Sequence, residues 1–380
     1  MTQILGIETS CDETAAAVVV DGVEVRSNVI ASQHDLHEAY GGVVPEIASR
    51  AHLERIGPVI DQALRLANTT FDQIDAVAVG NRPGLIGSLL VGTSAAKAIA
   101  WSLNKPLIGV DHIKAHLYAA TMAPPPDTQE KITAGSNVNL SRPGATATRA
   151  SSPDTFFPAI GLVVSGGHTS LFDLSSPTDT TLRGRTIDDA VGEAYDKAAV
   201  ILDLGYPGGP ALDRAAQAGD ASVHQLPRSL LGPTSLDFSF SGLKTALLYK
   251  VRGKPTKRGS RAVFERSAQD LSIHERRHLA AAFQEAAIDA VITKLQRAID
   301  LKRANGLPPR SLLIGGGVSA NSLLRRRAAE LGQAVGLTVC VPPMDLCLDN
   351  AGMIAGFAYE YLKQGQFDDL HLTTMARSAS

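Results

Sequence analysis

The sequence has 380 residues, enough for two core-bearing units. With 44% hydrophobic residues and 34 glycines it has the composition of a globular α/β protein, which excludes disordered and fibrous classes. A net charge of −2 excludes a global field that draws the chain to nucleic acid, so any RNA contact must come from a local patch.

The chain enters an apolar strand at Ile4–Ile7 within three residues, so no signal or transit peptide is expected. A polar turn, Thr9–Thr14, leads into a returning strand, Ala15–Val20. A helix near Val59–Ala67, a strand Ile74–Val79, the loop Asn81–Gly87, a helix near Ser88–Leu103 and a strand Leu107–Val110 follow. This alternation predicts a largely parallel sheet covered by helices. Pro124–Pro158 is rich in Pro, Ser, Thr, Ala and Asn, and reads as a flexible insertion or interlobe linker.

Ile160–Leu174 repeats the opening design: an apolar strand to Val164, a turn Ser165–His168, then Thr169–Leu174. We read this as an internal duplication. Small-residue turns of this kind can hold a phosphorylated ligand on backbone N–H groups, or simply close tight hairpins. Ile187–Leu204 is predicted helical, and Leu279–Arg303 is a long helix stopped by Asn305-Gly306. Leu312–Ile314 is a buried strand that runs into Gly315–Asn321, a glycine-rich opening to another helix. Arg252–Arg277 is charge-dense, which suits a solvated insertion or an RNA backbone contact.

Cys11, Cys340 and Cys347 are scattered and odd in number, which argues against a disulfide framework and predicts a reducing, cytoplasmic setting. No run of 18 apolar residues occurs, so no membrane contact is expected. His112 and His116 are four apart, a spacing that puts both imidazoles on one helix face, where they can share a divalent metal with a distant carboxylate. Ile113 and Lys114 follow His112, so the glutamate of H-E-x-x-H is missing.

Ten uncommon blocks occur in order. They are G-I-E-T-S-C-D-E-T (6–14), H-D-L-H-E-A-Y-G-G-V-V-P-E-I-A-S-R (34–50), P-G-L-I-G-S-L-L-V-G (83–92), D-H-I-K-A-H-L (111–117) and V-S-G-G-H-T (164–169). D-D-A-V-G-E-A-Y-D-K-A (188–198), Y-P-G-G-P (206–210), F-S-F-S-G-L-K-T (238–245), G-G-G-V-S-A-N (315–321) and D-N-A-G-M-I-A (349–355) complete the set. Together they closely resemble the tRNA N6-adenosine threonylcarbamoyltransferase family (TsaD, formerly the O-sialoglycoprotein endopeptidases). The resemblance covers nearly the whole chain outside Pro124–Pro158 and Arg252–Arg277.

The resemblance implies an α/β, two-lobed actin/Hsp70-like (ASKHA) fold with duplicated RNase H-like lobes and a central cleft. It implies an N-terminal lobe over 1–123, an insertion over 124–158, a second lobe over 159–349 and a C-terminal helix and tail over 350–380 that return to the first lobe. It implies one divalent metal per subunit, usually iron, held by His112, His116 and Asp349, where zinc or manganese is also compatible. It implies a ligand region formed by Val163, Val164, Ser165, Gly166, Gly167, Asp196, Gly209, Asp213 and Asn321, with Glu13, Lys197 and His168 in matching motifs but less specific roles.

The implied activity is acyl transfer. The threonylcarbamoyl group of threonylcarbamoyl-AMP passes to N6 of the adenosine 3′-adjacent to the anticodon, in tRNAs reading codons that begin with adenosine, and gives t6A. Asp196 and Asp213 suit ribose hydroxyls, and Asn321 either contacts the ligand or caps a helix. No general base is evident. A paralogous actin-like subunit and a small ATPase are implied as accessory proteins. The sequence departs from the family in its long 124–158 segment, its basic insertion and an ending at 372–380 without an R-P-R-W-like motif. Two rival readings use the same residues: a metalloprotease, on H-x-x-x-H alone, and an ATP-dependent kinase or ATPase on the same fold. Phosphoryl transfer on this fold does not need the two histidines and the aspartate.

Overall fold

The computed structural model describes residues 1–37, 40, 42–122, 153–256 and 263–378. Most of the 124–158 segment and the centre of the basic insertion lie outside the described residues. The chain divides into two compact units: Met1–Thr155 with Ser176–Asp179 and Cys340–Ser380, and Phe156–Ser175 with Thr180–Val339.

The first unit is built on β1 (Gln3–Glu8), β2 (Glu13–Val20), β3 (Glu24–Ser32), β4 (Ala76–Arg82) and β5 (Leu107–Asp111), in the spatial order β3-β2-β1-β4-β5. The pairs β1–β2 and β2–β3 are antiparallel, whereas β1–β4 and β4–β5 are parallel. A short helix α1 (His34–His37) precedes α2 (Pro45–Leu66) and α3 (Ile86–Leu103), and the latter two cover one face. Leu5, Ile7, Val77 and Val79 point to that face, against Val59, Ile60, Ala63 and Ala96. Helices α4 (His112–Ala119) and α10 (Ala351–Lys363) cover the other face, where Ile4, Ala76, Ala78 and Val110 meet Tyr118, Met353, Ile354 and Phe357. Burial on both faces explains why β1 and β4 read as continuous apolar runs rather than alternating ones.

Helix α10 approaches β1 closely because Gly6 has no side chain: a Cβ there would lie 2.9 Å from the Ala355 Cβ and press into the Ala351 carbonyl. Gly6→Val is therefore expected to force α10 off the sheet and destabilise the protein by more than the ~1–3 kcal/mol of ordinary overpacking, read as a lowered denaturation midpoint.

Helix α2 starts fourteen residues before the position predicted from the apolar pattern. Pro58 lies inside the helix and faces solvent while Ala51, His52, Val59 and Ile60 are buried, so packing carries the helix through the proline. Helix α3 is long and apolar enough to cross a membrane by length and composition, which the absence of an 18-residue apolar run did not predict, and 33% of it is buried in this protein. It packs on α2 and β4, and its Leu89, Gly92, Thr93 and Ala96 are buried.

The second unit repeats the plan. Strands β6 (Ala159–Val164), β7 (Thr169–Leu174), β8 (Thr180–Arg185), β9 (Ser311–Gly315) and β10 (Thr338–Cys340) lie in the order β10-β9-β6-β7-β8. Again the first hairpin and its follower are antiparallel, and β6–β9 is parallel. The two sheets thus share one strand order, and the duplicated hairpins predicted from the sequence are its leading edge. Helices α5 (Val191–Leu202), α6 (Gly208–Gln217), α7 (Ser241–Arg252), α8 (Ile273–Ala304) and α9 (Ser322–Val335) complete the unit.

Helix α5 begins at Val191, not Ile187 as predicted, because the preceding residues serve another purpose. Asp188 accepts from Ser239 Oγ at 2.5 Å, Phe240 N at 2.8 Å and Ser241 Oγ at 2.7 Å, and so anchors the F-S-F-S-G-L-K-T segment. Helix α8 begins six residues before its predicted start, at a Ser272 cap that accepts from Glu275 N at 3.1 Å. Glu275, Arg276 and Arg277, read from sequence as part of a charged insertion, lie within the first five residues of α8.

Lys294 of α8 is fully buried and donates at 2.6 Å to the carbonyls of both Leu230 and Ser235. Burial and the neighbouring Arg297 push its pKa down to about 8. An unfolded lysine titrates near ~10.4, so between these values the unfolded chain binds more protons and stability rises with pH. Lys294→Met is expected to lose that rise between pH 8 and 10 in denaturant titrations. It should fold, because Arg297 Nη1 donates to the same two carbonyls at 3.2 and 3.0 Å.

Candidate functional site

In the first unit, the parallel strands β1, β4 and β5 end at Glu8, Arg82 and Asp111, and in such sheets ligands bind beyond the carboxyl ends of the strands. Helix α4 starts there. Asp111 caps it by accepting from Ile113 N at 3.1 Å and Lys114 N at 3.2 Å, which fixes the helical turn carrying His112 and His116. Asp349 arrives from 233 residues away, two positions before α10, whose own cap is Asn350 accepting from Met353 N at 2.9 Å. His112 Nε2 lies 3.3 Å and His116 Nε2 3.1 Å from Asp349 Oδ1, and the three ligand atoms fall within 4.8 Å of one another.

The electrostatics of this cluster favour a cation. Burial opposes charge on His112, but Asp349 and Glu8 outweigh it and hold its pKa well above the ordinary histidine value. Burial likewise opposes ionisation of Asp349, but the two histidines hold its carboxyl well below the usual range. Burial keeps His116 low. His112 Nδ1 faces Glu8 Oε2 at 3.1 Å and Ser10 Oγ at 3.2 Å, and so turns Nε2 toward Asp349. Two imidazoles and a carboxylate, all buried or half-buried, form a donor set that fits one divalent metal. Glu13, at the start of β2, is pushed up to about 9 by burial, Asp349 and Asp12. Sequence reasoning missed Glu8 and Ser10, and the available signal was that Glu8 ends the first parallel strand and Ser10 follows two residues later.

The remaining predicted residues lie in the second unit: Val163–Gly167 at the end of β6, Asp196 on α5, Gly209 and Asp213 on α6, and Asn321 at the start of α9, with the parallel pairing of β6 and β9 setting Val163 beside Gly315. The turn after β6 is closed by Ser165 N donating to the His168 carbonyl at 2.8 Å and His168 N donating to Ser165 Oγ at 3.1 Å. Its carbonyl at Ser165 accepts from Gly192 N at 3.2 Å, which ties the turn to the start of α5. The glycines here are of two kinds. A Cβ at Gly192 would lie 2.5 Å from the Ser165 carbonyl oxygen, and one at Gly316, which has φ +91°, would lie 2.5 Å from the Val164 carbonyl oxygen. Those glycines are required by packing. Gly166, Gly167 and Gly209 have nothing within 4 Å of an added Cβ and no left-handed φ, so the local fold does not require them. Open space over bare backbone is what close approach of a ligand requires.

Asp196 of α5 accepts from Gly209 N at 3.2 Å and pins the start of α6. Burial raises its pKa against the pull of the Gly208 and Gly209 N–H groups. Lys197 points elsewhere and pairs with Asp189 and Glu193, each at 2.8 Å. Asp213 accepts from Gln284 Nε2 at 3.0 Å, Asn321 Nδ2 at 3.2 Å and Ser322 Oγ at 2.8 Å. Asn321 caps α9 by accepting from Leu324 N at 3.0 Å and donates to Gln284 Oε1 at 2.9 Å. The cap reading of Asn321 is therefore correct, and the same side chain also joins a polar network. Gln284 and Ser322 were missed because nothing in a helical run marks which polar residue faces a loop. Asp213→Ala is expected to leave the Asn321 and Gln284 donors short of an acceptor and cost ~1–3 kcal/mol, measured by chemical denaturation.

Two sheets of one strand order, each with its loops at the ends of its parallel strands, define the actin/Hsp70-like (ASKHA) class. Among solved structures, HypF from T. kodakarensis aligns with a TM-score of 0.56 at 14% identity, over 98% of this chain and 49% of its own. A full-length HypF in phosphate- and nucleotide-bound form aligns with a TM-score of 0.54 at 13% identity, over 97% and 57%. At such identities these show the fold alone.

The model of the TsaD family, tRNA N6-adenosine threonylcarbamoyltransferase, matches residues 24–131 and 139–356. Proteins of that name from Moorella thermoacetica and Symbiobacterium thermophilum are each 45% identical to this chain, over 96% and 98% of it and 93% and 95% of their own lengths. The Bacillus cereus protein of the same name is 44% identical over 96% of this chain and 93% of its own. The chain belongs to the tRNA N6-adenosine threonylcarbamoyltransferase family.

Proposed function

We propose that this chain transfers the threonylcarbamoyl group of threonylcarbamoyl-AMP to N6 of the adenosine 3′-adjacent to the anticodon, in tRNAs reading codons that begin with adenosine, and so forms t6A. The observation that carries this reading is the family match over almost the whole chain, with relatives of that name at 45% identity. His112, His116 and Asp349 hold one divalent metal, assigned here as iron, with zinc and manganese as the alternatives. When bound, such an ion supplies positive charge that orients and polarises an oxygen-rich donor.

The other roles fall to the chain itself. The backbone N–H groups of Gly166 and Gly167 receive the donor phosphate, and Val163, Val164 and Ser165 hold that turn in place. Asp196 and Asp213 accept from ribose hydroxyls, with Gly209 and Asn321 beside them. A purine amine is a weak nucleophile, so positioning of the two reactants supplies most of the acceleration. The adenylate phosphate or a cleft carboxylate takes the proton released from N6. tRNA and threonylcarbamoyl-AMP are the substrates, a paralogous actin-like subunit and a small ATPase assist, and the setting is cytoplasmic. The test is mass spectrometry of tRNA nucleosides after incubation with threonylcarbamoyl-AMP. New t6A at the predicted position is the expected result, and unmodified tRNA with the donor intact would overturn the reading.

A further inference from the structure

Glu8 stands at the end of β1, fully buried, and is not one of the three clustered metal-ligand candidates. Both of its carboxylate oxygens are occupied. Oε1 accepts from Ser10 N at 2.5 Å, and Oε2 lies 3.1 Å from His112 Nδ1. A carboxylate oxygen only accepts, so Nδ1 donates in that contact, and Nε2, which faces Asp349, is the nitrogen that can give up its proton to a metal.

The neighbouring strand is shaped around this carboxylate. Gly80 of β4 has no left-handed φ, so its backbone does not require glycine. An added Cβ would press into Glu8 Oε2 and lie 3.2 Å from Glu8 Cδ. Space for the Glu8 carboxylate is therefore the reason visible in the structure for glycine at position 80.

We infer that Glu8 is a positioning residue for His112, fixing which imidazole nitrogen is presented to a metal, and that Gly80 is its seat. This rests on the metal reading of His112, His116 and Asp349. Glutamine in place of Glu8 keeps the volume but turns one acceptor into a donor. It then cannot accept from both Ser10 N and His112 Nδ1. Alanine at position 80 leaves the carboxylate chemistry intact and displaces it.

The test uses the full chain with cobalt(II) as probe, its affinity measured by chelator competition and its coordination by visible absorption. Glu8→Gln is expected to weaken cobalt binding ~10–100-fold, as losing the outer partner of a metal-bound histidine does, and to change the absorption bands. Gly80→Ala is expected to weaken it in the same sense. The double variant is expected to lose less than the sum of the two, because both act through one contact. Parent affinity and parent spectrum in Glu8→Gln would overturn the inference, as would losses that add in full. If Glu8→Gln does not fold, Gly80→Ala carries the test alone: weakened binding with changed bands supports the inference, and parent binding overturns it. A parent chain that takes up no cobalt would instead overturn the metal reading, and this inference with it.

Discussion

Replacing His112, His116 or Asp349 by alanine is expected to strip most bound metal from the protein and most transferase activity with it. Each supplies one of three ligand atoms that lie within 4.8 Å of one another, so no remaining pair can hold an ion in the same way. The loss should exceed the ~10–100-fold typical of an outer partner, because a direct ligand is removed. Folding should survive at Asp349, because the cap of α10 belongs to Asn350. Asp349→Asn is the sharper variant: it keeps the shape but removes the charge that holds His112 high and balances the cation. Elemental analysis and nucleoside mass spectrometry on the same preparations give the two readouts. Full metal content in the His112→Ala/His116→Ala double variant would remove the assignment.

The second large effect lies in the glycines of the second unit, where neighbouring substitutions should behave in opposite ways. Gly166→Ala and Gly167→Ala meet nothing within 4 Å, so stability should stay within ~0.5 kcal/mol of the parent. If their bare backbone receives the donor phosphate, affinity for AMP should nonetheless fall at least ~10-fold, about 1.4 kcal/mol. Gly192→Ala pushes a Cβ into the Ser165 carbonyl and the Gly166 amide at 2.5 and 2.8 Å. It should lose both stability, by ~1–3 kcal/mol, and AMP binding, because it moves the turn itself. Calorimetry with AMP alongside thermal melts separates the two classes. Unchanged affinity in Gly166→Ala and Gly167→Ala would show that this turn is only a hairpin.

Much of this protein was determined by its sequence. The repeated strand–turn–strand pattern at Ile4–Val20 and Ile160–Leu174 named the leading edge of both sheets, because apolar runs bounded by small polar turns have few other structures open to them. The four-residue spacing of His112 and His116 placed both rings on one helical face. What only the tertiary structure decided depends on neighbours distant in the chain. The apolar pattern placed a helix near Val59–Ala67, and the helix instead starts at Pro45 with Pro58 inside it, because packing of Ala51 and Val59 outweighs the lost hydrogen bond. Asp188 and Asp189 looked like the first turn of α5 and instead anchor Ser239 and Lys244. Glu8 fell between the predicted strand Ile4–Ile7 and the turn Thr9–Thr14 without a role, and its partners His112 and Gly80 come from two other elements. Local sequence specifies which backbone conformations are cheap. Which carboxylate meets which imidazole is set by packing between elements, and a single chain read in order carries no direct record of that.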